Sequence, residues 1–194
     1  GQQAGERPVD AVLAVVDATN LERNLYLVSQ LRELPIPIVV ALNMMDLADR
    51  RQIEINVDAF SRNLGVPVVA VQANRQEGMD RLRETLEEVL RERRIPVAAG
   101  PAYPPELIAE VDGVESDLKA HAKEIGRIVP RVEAFRTFID HGGYAEQRLT
   151  RALNGQLDTI LTTRRARIGT HGALSAIEAR SRYAWIRGVM SDSV

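Results

Sequence analysis

The sequence predicts an α/β fold in which a parallel sheet with flanking helices is followed by an all-α helical subdomain. In residues 1–94, short apolar runs alternate with amphipathic segments of helical period. This pattern is typical of strand–helix–strand units with right-handed crossovers. After a proline-rich linker at 95–105 no strand pattern recurs, and short connections between helical segments predict an antiparallel helical subdomain over 106–194.

The composition excludes several classes of protein. The chain has 194 residues, 45% hydrophobic and 27% charged, with a net charge of -2. That composition predicts a soluble globular protein and gives no basic face for nucleic acid. The absence of cysteine excludes disulfides and zinc–thiolate sites. No apolar run approaches the roughly 18–20 residues of a membrane helix, and the polar residues 1–8 do not resemble a signal peptide.

The first half contains three apolar runs that are rich in β-branched residues. Runs of this kind predict strands buried on both faces of a parallel sheet: 10–17, 36–43 and 67–71. Apolar residues that recur every three or four positions predict the helices between and after these strands: 21–34, 58–64 and 79–90. The first helix is expected to stop before Pro35, because the residue before a proline avoids the α region.

The second half is predicted to be helical throughout. The same periodicity predicts five helices: 106–125, 131–139, 144–153, 156–168 and 175–189. Gly113 is a candidate position for a kink in the first of them. Arg164, Arg165 and Arg167 form a small basic cluster, which we interpret as a solvated helix face.

The strand at 36–43 ends in Asn43, and Asp46 follows three residues later. In open parallel sheets, ligands bind just beyond the carboxyl ends of the strands. A carboxylate there can accept hydrogen bonds from N1–H and the exocyclic amine of guanine, whereas adenine would leave it unpaired and be rejected. The alternative is structural: an asparagine that turns the chain and an aspartate that caps a helix.

The next strand also ends in polar residues, and a loop containing Ala73 follows it. Guanine-binding domains place a small-residue loop there, whose backbone N–H meets O6 of the base. Asn43 would join the two loops through its amide and could meet N7. The sequence thus predicts no catalytic or metal-ligating residue but six cofactor-binding residues: Asn43, Met44, Asp46, Gln72, Ala73 and Asn74.

Two longer stretches carry a family resemblance. Residues 15–27 (VVDATNLERNLYL) and 37–46 (PIVVALNMMD) resemble the cytosolic GTPase region of the ferrous iron transport protein B (FeoB) family. Residues 64–69 and 178–186 are similar to the same family, and the resemblance covers roughly 10–190. It implies a partial P-loop-GTPase-like sheet followed by a helical domain.

The resemblance also implies an organisation and a function. Residues 1–94 would be the C-terminal half of a GTPase domain, 95–105 a linker, and 106–194 a helical domain leading to a membrane permease domain of the same parent chain. The ligand would be GTP or GDP, with Mg²⁺ in the intact protein, and hydrolysis would be coupled to Fe(II) uptake. The region would lie at the cytoplasmic face of the bacterial inner membrane.

The departures from the family concern the phosphates. The chain contains no Gly-x-x-x-x-Gly-Lys-Ser/Thr loop, and Gly1 and Gly5 lack the lysine and hydroxyl residue that a phosphate cradle needs. Gln72 stands where the family's guanine loop commonly has serine or threonine. We therefore expect that this polypeptide alone neither hydrolyses GTP nor binds it tightly.

Two further interpretations concern partners. The chain could instead be a non-catalytic regulatory module. Its helical domain would slow nucleotide release or transmit the state of the GTPase domain to a membrane partner. The edge of a three-stranded sheet also invites pairing with another chain, so a homo-oligomer is an expectation.

Overall fold

The structure of the protein is a computed structural model. It describes residues 9–96, 99–169 and 171–194, and for 171 and 172 the backbone only. Gly1 and Gly5 therefore lie outside the described residues. The chain forms two compact units, which we call the sheet unit (Gly1–Pro101 with Arg182–Val194) and the helical unit (Ala102–Ser181).

The sheet unit is built on three parallel strands. They are β1 (Val12–Asp17), β2 (Ile38–Asn43) and β3 (Val68–Ala70), in the order β1-β2-β3. Their register pairs Asp17 with Asn43, so β1 and β2 end side by side. The central strand β2 is buried along nearly its whole length, as its continuous apolar run predicted. The predicted α/β fold with a parallel sheet is confirmed.

Helices connect and cover these strands. They are α1 (Leu21–Leu31), α2 (Met45–Arg50), α3 (Val57–Leu64) and α4 (Met79–Glu92). The short helix α2 was not predicted from the sequence. Helix α1 ends before the predicted Leu34, because the chain tightens into turns ahead of Pro35, with the Leu34 N–H donating to the Leu31 carbonyl at 3.0 Å.

Two apolar layers hold the sheet between these helices. Successive residues of a strand face opposite sides of the sheet. On one side Val40 belongs to a core with Leu25 of α1 and Phe60 of α3. On the other side Val39 belongs to a core with Val89 of α4. The strand ends are thereby fixed at one edge of a well-packed unit.

The helical unit is formed by α5 to α9 and the first part of α10. Their bounds are α5 (Pro105–Ala120), α6 (Ala122–Ile125), α7 (Arg131–Ile139), α8 (Tyr144–Ala152), α9 (Gln156–Ile168) and α10 (His171–Met190). The residues of α10 from Arg182 onward pack within the sheet unit.

The predicted single helix over 106–125 is wrong in its last part, because α5 ends at Ala120 and a separate helix α6 begins at Ala122; α5 has no break at Gly113, the candidate kink position. Gly113 provides room for an arginine of α9: a Cβ at this position would lie 2.0 Å from Nη1 of Arg164. Arg164 crosses α5 at this glycine and donates to Glu110 at 3.0 Å and to Asp117 at 2.9 Å. The glycine therefore serves helix packing.

The interpretation of the arginine cluster as a solvated face is also wrong for its central member. Arg165 is 4% exposed. It donates to the carbonyl oxygens of Thr137 at 2.7 Å and Phe138 at 2.9 Å. The sequence spacing indicated that Arg165 is buried, because it continues the four-residue series of Leu157 and Leu161 on the inner side of α9.

Candidate functional site

The end of β2 is joined to the loops that follow both neighbouring strands. The Asn43 carbonyl accepts a hydrogen bond from the Ala18 N–H at 2.9 Å. Its side-chain Oδ1 accepts from the Ala73 N–H at 3.2 Å. These contacts are possible because the carboxyl ends of parallel strands meet at one edge of the sheet. A single residue therefore sets the spacing of both loops.

The loop after β1 is shaped by its own side chains. The N–H and the hydroxyl of Thr19 both donate to Asp17 Oδ1, each at 2.8 Å. The Asp17 N–H in turn donates to Asn24 Oδ1 at 3.4 Å. Such local bonds turn a chain from a strand into a helix. They hold Ala18 where its N–H reaches the end of β2.

The turn after β2 is made by a residue in a rare conformation. Met44 has φ of 65°, in the left-handed region that a side chain seldom adopts. Strain of this kind costs on the order of 1–3 kcal/mol and is concentrated at functional sites. Met44 is the N-cap of α2, so Asp46 lies within the first turn. The structural alternative, in which Asp46 caps a helix, is therefore wrong.

The loop after β3 is closed by a pair of backbone hydrogen bonds. The Gln72 N–H donates to the Glu77 carbonyl at 3.0 Å, and the Glu77 N–H donates back to the Gln72 carbonyl at 3.3 Å. A single 3₁₀ turn, Ala73–Arg75, lies between them. Ala73 and Asn74 are exposed at its tip, where a ligand can reach their backbone.

Gly78 ends this loop at a position that admits no side chain. Its φ is 78°, and a Cβ would lie 2.3 Å from the carbonyl oxygen of Ala70 in β3. Glycine alone combines this conformation with so close an approach. The loop is thus fixed at both ends. Near its start the Ala73 N–H donates to Asn43 Oδ1, and at its end Gly78 lies against β3.

Gln72 contains a polar atom without a partner. Its side-chain Oε1 is buried and has no hydrogen-bond donor among the described residues. Leaving a buried acceptor unsatisfied costs about 1–3 kcal/mol, so each such atom in a folded protein calls for an explanation. Because the atom is buried, a partner could reach it only after a local rearrangement of the loop.

The six predicted site residues thus fall into two groups at one edge of the sheet. Asn43, Met44 and Asp46 follow β2, and the group around Ala73 follows β3. The Asn43–Ala73 hydrogen bond joins the groups. The edge offers a carboxylate, side-chain amides and exposed backbone N–H groups. This chemistry suits a heterocyclic base that carries both donors and acceptors.

The other kinds of site considered have no counterpart in the part of the chain that the structure describes. No group of three or more His, Asp or Glu side chains there could hold a metal ion. Within the same residues, none of the helices is both long and apolar enough to cross a membrane.

Sequence reasoning missed a buried arginine that supports this unit. Arg182 of α10 is 0% exposed. It donates to the Ser29 hydroxyl at 3.0 Å and to the Glu33 carboxylate at 2.7 Å, both on or just after α1. The available signal was its helical spacing to the buried Ile186 and Val189. Through this contact α10 holds α1, the helix that follows the β1 loop.

Comparison with known proteins identifies the family. The family model for ferrous iron transport protein B matches residues 4–86. The structure of the S. thermophilus NFeoB domain bound to mGMPPNP is 34% identical, with a TM-score of 0.71 over 95% of this chain and 67% of that chain. The chain belongs to the FeoB family. The resemblance predicted from the sequence is confirmed.

Two further FeoB proteins show how much of the family the chain covers. The Fe(2+) transporter FeoB of Salmonella typhimurium is 54% identical over 74 residues, which is 38% of this chain and 10% of the transporter. The cytosolic domain of L. pneumophila FeoB is 26% identical, with a TM-score of 0.68 over 97% of this chain and 67% of that chain. The matched segment is thus about a tenth of the curated FeoB transporter's length.

Proposed function

We propose that this chain recognises the guanine base of GTP or GDP at the carboxyl edge of its sheet, as the base-binding half of a FeoB GTPase domain. The observation that carries the proposal is the Asn43–Ala73 hydrogen bond, which joins the two predicted base loops. The nucleotide-bound state of solved FeoB domains, with GDP or GMPPNP, supports the choice of ligand.

Asp46 supplies the selectivity. Its carboxylate accepts hydrogen bonds from the N1–H and the exocyclic amine of guanine. Adenine has an acceptor at N1 and lacks that amine, so it would leave the charge desolvated and unpaired. Sites built around such a bond reject analogues that lack the donor far better than apolar pockets reject a missing methylene. The first-turn position of Asp46, away from the N-cap, leaves its carboxylate for this role.

Asn43 and the Ala73 loop act on the opposite edge of the base. Because Asn43 Oδ1 accepts from the Ala73 N–H, the amide nitrogen of Asn43 is turned to donate to N7. The backbone N–H of Asn74 would donate to O6, since the N–H of Ala73 already donates to Asn43 Oδ1. The left-handed turn at Met44 places its exposed side chain as an apolar surface for the purine ring.

The wider role belongs to a longer parent protein. There we propose that GTP binding and slow hydrolysis are coupled to Fe(II) uptake, with Mg²⁺ and the phosphates held by segments outside this chain. The membrane permease domain of the same parent chain would be its partner, at the cytoplasmic face of the bacterial inner membrane. The FeoB family membership supports this proposal.

Base analogues test the assignment of Asp46. Guanosine, inosine and adenosine are titrated into the 194-residue chain and followed by NMR, because inosine is guanosine without the exocyclic amine. We expect guanosine to bind at least about tenfold more tightly than either analogue, the value of a charge-assisted hydrogen bond. Asp46→Ala should remove the difference between guanosine and inosine.

The matched control is Asp49→Ala, which removes an exposed carboxylate from the same helix. It should leave the preference for guanosine intact. An Asp46→Ala variant that keeps that preference would show that another group reads the base.

A further inference from the structure

The loop between β1 and α1 is organised around Asp17, the last residue of the strand. Oδ1 of Asp17 accepts both the N–H and the hydroxyl of Thr19, each at 2.8 Å. The backbone of Asp17 makes two further bonds in this loop. Its carbonyl accepts the Asn20 N–H at 3.1 Å, and its N–H donates to Asn24 Oδ1 at 3.4 Å.

Asn24 closes the same loop from the side of α1. Its Nδ2 donates to the Asn20 carbonyl at 2.8 Å, while its Oδ1 accepts the Asp17 N–H. One side chain therefore joins the end of β1 to Asn20, the N-cap residue of α1. Asn20 makes no side-chain capping bond of its own. The bridge through Asn24 thus fixes the position of the loop relative to the helix.

Ala18 connects this loop to the candidate site in two ways. Its N–H donates to the Asn43 carbonyl at 2.9 Å, and the Asn43 side chain in turn accepts the Ala73 N–H. Its methyl group is 1% exposed and belongs to the same apolar core as Ala48 of α2, the helix that carries Asp46. A displacement of Ala18 would therefore affect both side chains that are proposed to read the base.

We propose that Asp17 is a positioning residue for base recognition, which acts through Ala18 and does not touch the ligand. The inference rests on the proposed guanine site and adds a third loop to it. The two groups that donate to Asp17 Oδ1 are a backbone N–H and a hydroxyl, both of which are neutral. Holding them requires an oxygen acceptor but not a negative charge. Direct contact with a cation would instead require the carboxylate.

Two substitutions of Asp17 separate these roles. Asp17→Ala removes the acceptor of both Thr19 bonds, whereas Asp17→Asn keeps an oxygen acceptor and loses only the charge. We expect Asp17→Ala to lower the affinity of the 194-residue chain for guanosine about three- to tenfold, the value of about one net hydrogen bond. Asp17→Asn should keep the wild-type affinity. Asp49→Ala, which removes an exposed carboxylate from α2, is the control and should also keep it.

Amide resonances of the unliganded chain test the positioning without the nucleoside. Asp17→Ala should shift the resonances of the Ala73 N–H and the Asn43 side-chain amide, although Ala73 follows β3. Asp17→Asn should leave both in place. Thr19→Val removes one of the two bonds to Asp17 Oδ1 and should give a smaller shift in the same direction. It also decides the question if Asp17→Ala does not fold, because unshifted resonances in Thr19→Val would then contradict the proposal.

Two other results would overturn the positioning role. An Asp17→Asn variant that loses as much affinity as Asp17→Ala would show that the carboxylate itself contacts the ligand. A folded Asp17→Ala variant with wild-type affinity and unshifted resonances would show that the loop after β1 does not control the site. If the wild-type chain binds no guanosine, the proposed function fails, and the resonances alone decide whether Asp17 positions Asn43.

Discussion

At the scale of single residues, the candidate site depends on two conformations that ordinary side chains avoid. Met44 and Gly78 both lie in the left-handed region, one after β2 and the other at the end of the loop that follows β3. Between them the Asn43 side chain accepts the Ala73 N–H. The geometry of the two loops that follow β2 and β3 is therefore set by a few backbone angles and one side-chain hydrogen bond.

Gly78→Ala should destabilise the protein more than a left-handed glycine replacement normally does. The new Cβ meets both an unfavourable φ and the Ala70 carbonyl at 2.3 Å. Gly126 is the matched control, because it has the same φ of 78° and nothing within 4 Å of its Cβ position. We expect Gly126→Ala to cost roughly 1–2 kcal/mol, and Gly78→Ala to cost at least about 1 kcal/mol more, measured by urea unfolding.

Equal free-energy losses for the two alanine variants would contradict the close contact with β3. The Ala73 amide resonance gives a second reading, since displacement of the loop in Gly78→Ala should shift it. Gly126→Ala should leave that resonance in place, because Gly126 belongs to the helical unit.

At the scale of elements, the sequence predicted those parts of the fold that periodicity reports. The strands, the parallel sheet and α9 follow from runs of apolar residues at regular spacing. Helix α2 was not predicted, because its six residues begin at the left-handed turn of Met44 and are too few to show a periodic apolar stripe. The buried contacts of Arg165 and Arg182 were not predicted, because helical spacing shows that a position is buried but not which acceptors will pair with a charge there.

The candidate site was predictable in its position and not in its geometry. The end of a buried strand followed by Asn43 and Asp46 places polar groups at the carboxyl edge of any parallel sheet. That Asn43 Oδ1 meets the Ala73 N–H depends on the length and closure of the loop after β3. The sequence predicted that Asn43 joins the two loops through its amide, but it gave no signal for which atoms meet, because the two residues are 30 positions apart in the chain.

Arg182→Met should loosen α10 from α1. Methionine keeps much of the side-chain volume but removes the guanidinium that donates to the Glu33 carboxylate and the Ser29 hydroxyl. Removing one partner of a buried pair costs up to about 3–5 kcal/mol, and the partial exposure of Glu33 lowers the expected loss to about 2–3 kcal/mol. The single tryptophan, Trp185 of α10, reports the change by fluorescence during urea unfolding.

Arg187→Met is the control for this variant. It removes a charge from the same helix, but Arg187 is exposed and its nearest acid, Glu22, lies 3.9 Å away. We expect a change of less than about 1 kcal/mol. A similar loss for both variants would mean that the buried contacts of Arg182 contribute nothing specific.

The helical unit should lose stability in acid through Glu146. Burial would raise the pKa of this carboxyl, but hydrogen bonds from Arg165 and from the Gly142 N–H outweigh burial and lower the pKa. Its contribution to stability is therefore complete above the unfolded value, about 4.3, and is lost as pH falls through the lower folded value. We expect the thermal midpoint to fall across this window, as followed by circular dichroism.

Glu146→Gln should lower the midpoint at neutral pH and flatten its dependence on pH below about 4.3. Glu106→Gln, at an exposed acid in the first turn of α5, serves as the control and should keep the wild-type profile. A Glu146→Gln profile that falls as steeply as that of the wild type would show that other carboxyls dominate.

At the scale of the whole molecule, the chain combines a three-stranded sheet that carries the two loops of the candidate site with a separate helical unit. The chain spans about two thirds of the length of the solved FeoB cytosolic domains, and for the S. thermophilus domain the share is 67%. A GTPase acts mainly by positioning phosphates and stabilising their charge. The 194 residues contain no phosphate-loop motif.

We therefore expect no GTP hydrolysis above the buffer rate by the 194-residue chain, measured as phosphate release in the presence of Mg²⁺. The polypeptide extended to the full length of a FeoB cytosolic domain is the positive control. Turnover by the shorter chain that is lost on denaturation would contradict the assignment of the phosphate contacts to other segments.

The most direct test of the base-recognition account is a residue-resolved titration of the wild-type chain with guanosine and with adenosine. Amide resonances are assigned, and shifts are mapped onto the structure. The account predicts that guanosine moves the resonances of Asn43, Asp46 and Ala73, while adenosine at the same concentration leaves them in place. Equal shifts with both nucleosides, or guanosine shifts that lie away from the carboxyl edge of the sheet, would contradict it.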